Sequence, residues 1–222
     1  MKNTDGSIFY TRHLPHFQPN DATYSVVMRL AGSLPLQAVI ELQQERDVWL
    51  GSTTGEKKQR VERHRELRVR MFKKLDGLLN HPKSGPMWLT NPVVAEIVAG
   101  AMKYWDNRAY ELLAYSIMSN HVHIVFSTGE ASTVPLPDFP LRGPTRYPVT
   151  NVLVSIKKYT AIRSNRVLRQ SGQFWQDESY DHVVREKELE RTIWYVLNNP
   201  VKAGLVNKWE EWPWSYLKEG VV

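Results

Sequence analysis

The stretch Tyr110-Glu111-Leu112-Leu113-Ala114-Tyr115-Ser116-Ile117-Met118-Ser119-Asn120-His121-Val122-His123-Ile124-Val125-Phe126-Ser127 reads as two β-rich runs, Tyr110 to Met118 and His121 to Ser127. The polar pair Ser119-Asn120 between them is the mark of a hairpin with a tight turn. Side chains two apart in a strand share a face, so His121 and His123 project together while Val122, Ile124 and Phe126 project the other way, into a core. Two imidazoles on one face make half of a metal site. A third ligand and a reactive group must come from elsewhere in the chain.

Upstream of the hairpin, Ala22 to Ala31 is β-rich and stops at Gly32-Ser33. Leu34-Pro35 opens a helix with Leu36, Val39, Ile40 and Leu42 on one face, and Gly51 to Gly55 breaks it. A charged helix follows to about Leu79; its Glu56, Glu62 and Glu66 sit among the cations at helical spacing, as in a solvated, salt-bridged helix. Asn91-Pro92 is a capped helix start, with Val93, Ile97, Val98 and Met102 as the apolar face. Downstream, a helix is expected over Asn151 to Leu168, an extended piece over Tyr180 to Val184, and a helix from Glu186 to about Asn198, stopped by Pro200. Residues 1–20, with Pro15 and Pro19, read as an irregular arm. Residues 128–148 carry five prolines and read as an extended loop. This order of elements describes one α+β domain over 21–222 with a mainly antiparallel sheet.

The chain has 222 residues, 42% hydrophobic and 23% charged, with no cysteine, which suits a globular protein without disulfides. No run approaches the roughly 18 apolar residues of a membrane span, and Met1-Lys2-Asn3-Thr4-Asp5-Gly6 leads into no signal-peptide core, so a cytoplasmic address is expected. Lysine and arginine exceed aspartate and glutamate by 29 to 23, a net charge of +6 that favours polyanionic partners. The excess is concentrated. From Arg142 to Gln170 there are Arg142, Arg146, Lys157, Lys158, Arg163, Arg166 and Arg169 and no acid. No GxxxxGK[ST] loop, CxxC knuckle or Gly-x-Ser-x-Gly elbow is present, which removes NTPase, zinc-finger and serine-hydrolase chemistry.

Tyr195 and Asn199 are four apart and share a helical face, able to aim a phenol and an amide oxygen at one spot. If that face packs over the His strand, one pocket holds two imidazoles, a phenol and an amide. The plainer reading stays open: Tyr195 as an aromatic packed among Ile193, Trp194, Val196 and Leu197, and Asn199 as a polar residue at a helix end.

Met118-Ser119-Asn120-His121-Val122-His123-Ile124-Val125 resembles the His-hydrophobic-His strand of the single-tyrosine HUH transposases. Lys157-Lys158-Tyr159-Thr160-Ala161, Phe174-Trp175-Gln176 with Tyr180-Asp181-His182-Val183-Val184-Arg185, Tyr195 through Val206, and Trp212-Pro213-Trp214-Ser215 look like successive blocks of the REP-associated tyrosine transposases, in the family's order. The resemblance implies a ferredoxin-like (RRM-like) HUH endonuclease fold that cleaves and rejoins single-stranded DNA near imperfect palindromic hairpins. It further implies Tyr195 as nucleophile, His121, His123 and Asn199 as ligands of Mg²⁺ or Mn²⁺, and homodimers in many relatives. Tyr159 is the competing tyrosine. Phosphate contacts are expected from Lys157, Lys158, Arg163 and Arg166, then Arg142 and Arg146, with Trp175 and Tyr180 as candidates to stack on bases and core packing as the competing reading for any tryptophan here. Trp209, Trp212 and Trp214 read as core or a C-terminal clamp. Ser119 stands where many relatives have proline, and the 128–148 loop is long for the family. A non-catalytic hairpin-binding protein and a hydrolase of small phosphoesters are the competing functions.

Overall fold

The computed structural model describes residues 8–11, 15–19, 21–51, 57–80, 85–129 and 148–222. Its centre is an antiparallel sheet of five strands in the order β6-β3-β5-β4-β7. These are β3 (Thr23–Arg29), β4 (Glu111–Ile117), β5 (His121–Ser127), β6 (Tyr180–Val184) and β7 (Ser215–Leu217). The helices are α1 (Leu36–Gly51), α2 (Lys57–Asn80), α3 (Pro92–Tyr104), α4 (Pro148–Val167), α5 (Glu186–Leu197) and the short α6 (Asn199–Lys202). Strands β3, β4, β5 and β6 with the helices between them have the βαββαβ connectivity of ferredoxin-like folds, with β7 added beside β4.

The pleat sorts side chains onto two faces. On one face, Val26, Met28, Leu112, Val122, Ile124 and Phe126 are buried against α3 and α4, forming the largest core. The opposite face carries Val27, His121, His123, Val125 and Ala114 and is covered by α1, α2 and α5. A bulge between Leu112 and Ala114 sets Leu113 on this second face as well. The hairpin is as expected, and both imidazoles lie on the covered second face.

Three expectations change. The N-terminal residues expected to be irregular include a two-stranded hairpin, β1 (Ile8–Thr11) with β2 (Pro15–Gln18), in which Pro15 opens the second strand where its missing N–H costs least. On α3 the buried stripe is Val94, Ala95, Val98, Ala99 and Met102, while Val93 is exposed, so the apolar face is rotated by one residue from the expected one. On α2, Arg70 and Lys74 pair across to Glu45 of α1 at 2.7 and 2.6 Å, and the helix's C-terminal half is buried through Met71, Phe72, Asp76 and Leu79. Charge outnumbers apolar residues in α2, but the apolar ones share one stripe. The tryptophans at the C-terminal end close the sheet edge: Trp212 Nε1 donates to the Ile117 carbonyl at 2.9 Å, and Trp214 packs on the main core.

The expected cap of α3 is present: Asn91 Oδ1 accepts from Val93 N at 3.0 Å and Val94 N at 3.4 Å, with Pro92 in the first turn. Asn91→Ala removes both bonds and is expected to cost about 1 kcal/mol, a fall of roughly 2–4 °C in thermal midpoint. A calorimetric scan reads it directly; an unchanged midpoint would show that water replaces the cap.

Candidate metal centre

β5 presents His121 and His123, both fully buried, with their Nε2 atoms 3.0 Å apart. His121 Nδ1 lies 2.7 Å from Asn120 Oδ1, which acts only as an acceptor. The proton is thus assigned to Nδ1 and leaves the His121 Nε2 lone pair facing inward. α2 brings a carboxylate to the same point: Asp76 Oδ1 is 3.0 Å from His123 Nε2. These three buried residues are grouped so that one ligand atom from each lies within 4.8 Å of the others.

α5 crosses the same face. The hydroxyl of the half-buried Tyr195 donates to Asp76 Oδ2, and its ring lies 6.3 Å from that of His123, edge to face. Asn80, one turn beyond Asp76 on α2, donates through Nδ2 to Asp76 Oδ2 at 2.9 Å and to Asn199 Oδ1 at 3.1 Å. Asn199 is anchored by its own Nδ2, which donates to the Tyr195 carbonyl at 3.0 Å, a side-chain-to-backbone bond across four residues. Phe72 fills the side of the site, packing on Tyr195, His123 and Tyr180. Lys202 of α6 sets its ammonium 3.7 Å above the Tyr195 ring, a cation–π contact.

The electrostatics follow from burial and charge. Burial holds the His121 pKa well below 6.5, with the neighbouring His123 adding to the fall and Asp76 opposing it, so His121 stays neutral and ready to coordinate. Burial acts to raise the Asp76 pKa. The hydrogen bond and charge of His123, the Tyr195 hydroxyl and His121 outweigh it, and the carboxyl is held below its ordinary value. Burial, then the bond to Asp76, push the Tyr195 phenol up, so it is a neutral donor at pH 7. Burial lowers the Lys202 pKa while Asp76 opposes.

The donor set fits a hard divalent ion. At a metal–ligand length of about 2.1 Å, two adjacent ligands of one ion stand about 3.0 Å apart. The imidazole nitrogens are at that separation. Two imidazoles and a carboxylate suit Mn²⁺ well and admit Mg²⁺.

The sequence-named residues divide. The structure brings His121, His123, Tyr195 and Asn199 to one place, with Asn199 joined to the cluster through Asn80. It sets α4 on the opposite face of the sheet, so Lys158, Arg163 and Arg166, all exposed, lie across the sheet from the imidazoles. Tyr159, half exposed on α4, is on that far side too. Three of the residues expected to contact DNA are buried. Lys157 is inside, its ammonium donating to the Gln176 and Asp177 carbonyls at 2.8 and 3.0 Å. Trp175 is 4% exposed and donates to Thr160 Oγ1 at 2.8 Å, and Tyr180 is also buried at 4%. Arg142 and Arg146 lie outside the described residues. Sequence reasoning missed Asp76, Asn80 and Lys202. The i,i+4 spacing of Asp76 and Asn80 was visible, but only packing distinguishes them from the other polar residues of α2.

Burial pushes the Lys157 pKa down to about 7, with Asp177 opposing, Arg29 adding to the fall and Glu178 opposing. The folded state then sheds a proton that the unfolded chain keeps up to about 10.4. Stability therefore rises as pH climbs from about 7 toward 10, and this contribution is lost below 7. Lys157→Met is expected to flatten that rise. Urea midpoints at pH 6 and 9 test it, and equal slopes in both proteins would refute it.

No protein-family model matches the chain. A Haemophilus influenzae protein named "Putative REP-associated tyrosine transposase" is 26% identical over 112 residues, 50% of this chain and 60% of the relative, so the chain spans less than two thirds of that relative's length. A solved structure of a REP-associated tyrosine transposase bound to a REP hairpin aligns over 93% of this chain and 80% of that one, with TM-score 0.47 and 16% identity. Over half its length the chain is thus similar to a protein named for the REP-associated tyrosine transposases, the family its His-hydrophobic-His strand and downstream blocks resemble.

Proposed function

We propose that this protein is a metal-dependent endonuclease and strand transferase acting on single-stranded DNA beside imperfect palindromic hairpins, with residues 21–222 as one HUH-type domain. The observation that carries the reading is the meeting of a phenol from α5, two imidazoles from β5 and a carboxylate from α2 within one buried cluster.

In this reading His121 and His123 would hold a divalent ion, Mn²⁺ or Mg²⁺, with Asp76 as the third ligand and Asn199 as the alternative for that place. The ion supplies Lewis-acid polarisation of the scissile phosphate's non-bridging oxygens. Tyr195 attacks phosphorus, forming a tyrosyl–phosphate bond to the DNA 5′ end as the bond to O3′ breaks. The phenolic proton passes to Asp76, its present acceptor, and the leaving O3′ takes a proton from solvent water to become a free hydroxyl. The covalent intermediate conserves the bond energy, so rejoining needs no ATP. Asn80 keeps Asp76 and Asn199 aligned, and Lys202 offers positive charge beside the phenol.

The test is incubation of 5′- and 3′-labelled hairpin oligonucleotides with the protein and Mn²⁺, followed by denaturing electrophoresis. A denaturation-resistant adduct that carries the 3′ label, with the 5′-labelled fragment released bearing a free 3′-hydroxyl, supports the reading. Tight binding with no adduct across metals and sequences would favour a non-catalytic hairpin-binding protein.

A further inference from the structure

The residues named as ligands are sealed from solvent. His121, His123 and Asn199 are 0% exposed and Asp76 is 5% exposed, so no DNA phosphate reaches the imidazoles in this conformation. Two elements cover them, α5 and the C-terminal half of α2. α5 is fixed to the sheet, with Ile193, Val196 and Leu197 fully buried in one cluster with Leu113, Ala114 and Val125. α2 is held differently.

Strands β3 to β6 with α3 and α4 complete the βαββαβ unit, and α1 and α2 are additional to it. The chain leaves the sheet at Gly32 and returns at Gly85, both at positive φ, +73° and +103°. A Cβ on Gly85 would stand 2.7 Å from the Gly32 carbonyl oxygen, so glycine is what lets the two ends of the excursion touch. The helices α1 and α2 therefore hang from one point. Glu45 of α1 pairs with Arg70 and Lys74 of α2, which makes the two helices one body. Beneath that body the packing is open: a cavity of about 160 Å³ is lined on one side by Leu42 and Met71 of the helices and on the other by Val27 and Tyr180 of the sheet. Interiors hold few voids larger than a water molecule, and regions with few buried contacts open locally before the rest unfolds. The polar ties of α2 to the body run to the site itself, from Asp76 to His123 and Tyr195 and from Asn80 to Asn199. Phe72 adds ring contacts with His123 and Tyr195.

We propose that the α1–α2 pair is a lid over the metal centre, swinging about its Gly32–Gly85 base, with Asp76, Asn80 and Phe72 as its latch. One movement uncovers both imidazoles, frees the Tyr195 hydroxyl and releases the Asn199 amide oxygen. A single strand enters with the lid open, and closure returns Asp76 to the phenol as the acceptor of its proton. What the lid admits rests on the DNA-processing reading above; the lid itself rests on the burial, the shared base and the cavity.

The chain has no cysteine, so a single introduced cysteine reports opening by its rate of reaction with a thiol reagent. Met71→Cys and Leu79→Cys probe the underside of the lid, where the parent residues are 5% and 1% exposed, and Val98→Cys in the main core, at 0%, is the control. Without denaturant, and with circular dichroism unchanged, the two lid sites should react about tenfold or more faster than the control. Adding Asn80→Ala, which removes the bond to Asn199, should speed them about fivefold further. Equal rates at lid and core sites mean exposure only through global unfolding and overturn the lid; if one lid variant does not fold, the other decides.

A lock links the lid to the reaction. Gln43 of α1 and Gln176 beside β3 line the cavity from its two sides. The Gln43→Cys/Gln176→Cys protein, joined by a reducible bismaleimide and verified by mass, should form about a tenth or less of the parent's DNA adduct, and reductant should restore the yield. A locked protein that keeps the parent's yield overturns the lid and leaves the DNA reading standing. Absence of an adduct in the parent itself overturns the DNA reading, and the thiol rates then decide the lid alone.

Discussion

Tyr195→Phe is expected to abolish the covalent protein–DNA adduct completely while leaving hairpin binding within about threefold of the parent. The phenol supplies the only atom that becomes bonded to phosphorus in the proposed reaction, and its hydroxyl donates to Asp76. Loss of a hydrogen bond to a charged carboxylate costs about 1.5–3 kcal/mol, so the variant should fold with a modestly lower midpoint. Tyr159→Phe is the internal control, because Tyr159 is half exposed on α4 across the sheet from the imidazoles. An adduct that survives in Tyr195→Phe and disappears in Tyr159→Phe would reverse the assignment and require the DNA to be processed on the opposite face.

Addition of Mn²⁺ should raise the thermal midpoint of the protein. At a free ion concentration 100 times the dissociation constant the native state gains about 2.7 kcal/mol. For a chain of this size that is a rise of roughly 5–10 °C. His123→Ala should remove the rise, since it takes away the nitrogen that faces both His121 Nε2 and Asp76 Oδ1. Asp76→Asn and Asn199→Ala separate the two candidates for the third ligand. The carboxylate touches the imidazoles directly, whereas Asn199 joins through Asn80. Asp76→Asn is therefore expected to weaken Mn²⁺ about 100-fold and Asn199→Ala by less, as measured by calorimetric titration or the Mn²⁺ electron spin signal. The opposite ranking would assign Asn199 as the ligand and Asp76 as the acceptor of the Tyr195 proton alone. Midpoints that do not respond to any divalent ion would remove the metal centre.

Much of the fold was legible from short-range patterns. The hairpin at 111–127, the cap at Asn91, the β6 strand and the α5 helix all follow from periodicity, turn chemistry or capping, which are local properties. The errors share a cause. Val93 was read into the core because it fits the period as well as Val94 does, and only contact with the sheet chooses between adjacent phases of a helix. In the basic run of α4 a helix shows only part of its circumference to water, and Lys157 falls on the inward part. Trp175 and Tyr180, aromatics that fit base stacking or core packing equally in the sequence, are both buried.

Two imidazoles on one face of β5 were settled by the period of a strand, and a phenol and an amide one turn apart by the period of a helix. Both are geometric consequences of the backbone that hold wherever the elements pack. That α5 lies over the imidazole face, that α2 delivers Asp76 and Asn80 to it, that α4 lies on the far face, and that Arg29 stands beside His121 were decided by the tertiary structure alone. These contacts join residues as far apart as 119 positions, and no local pattern records which of many polar side chains a long-range apolar contact will carry inward.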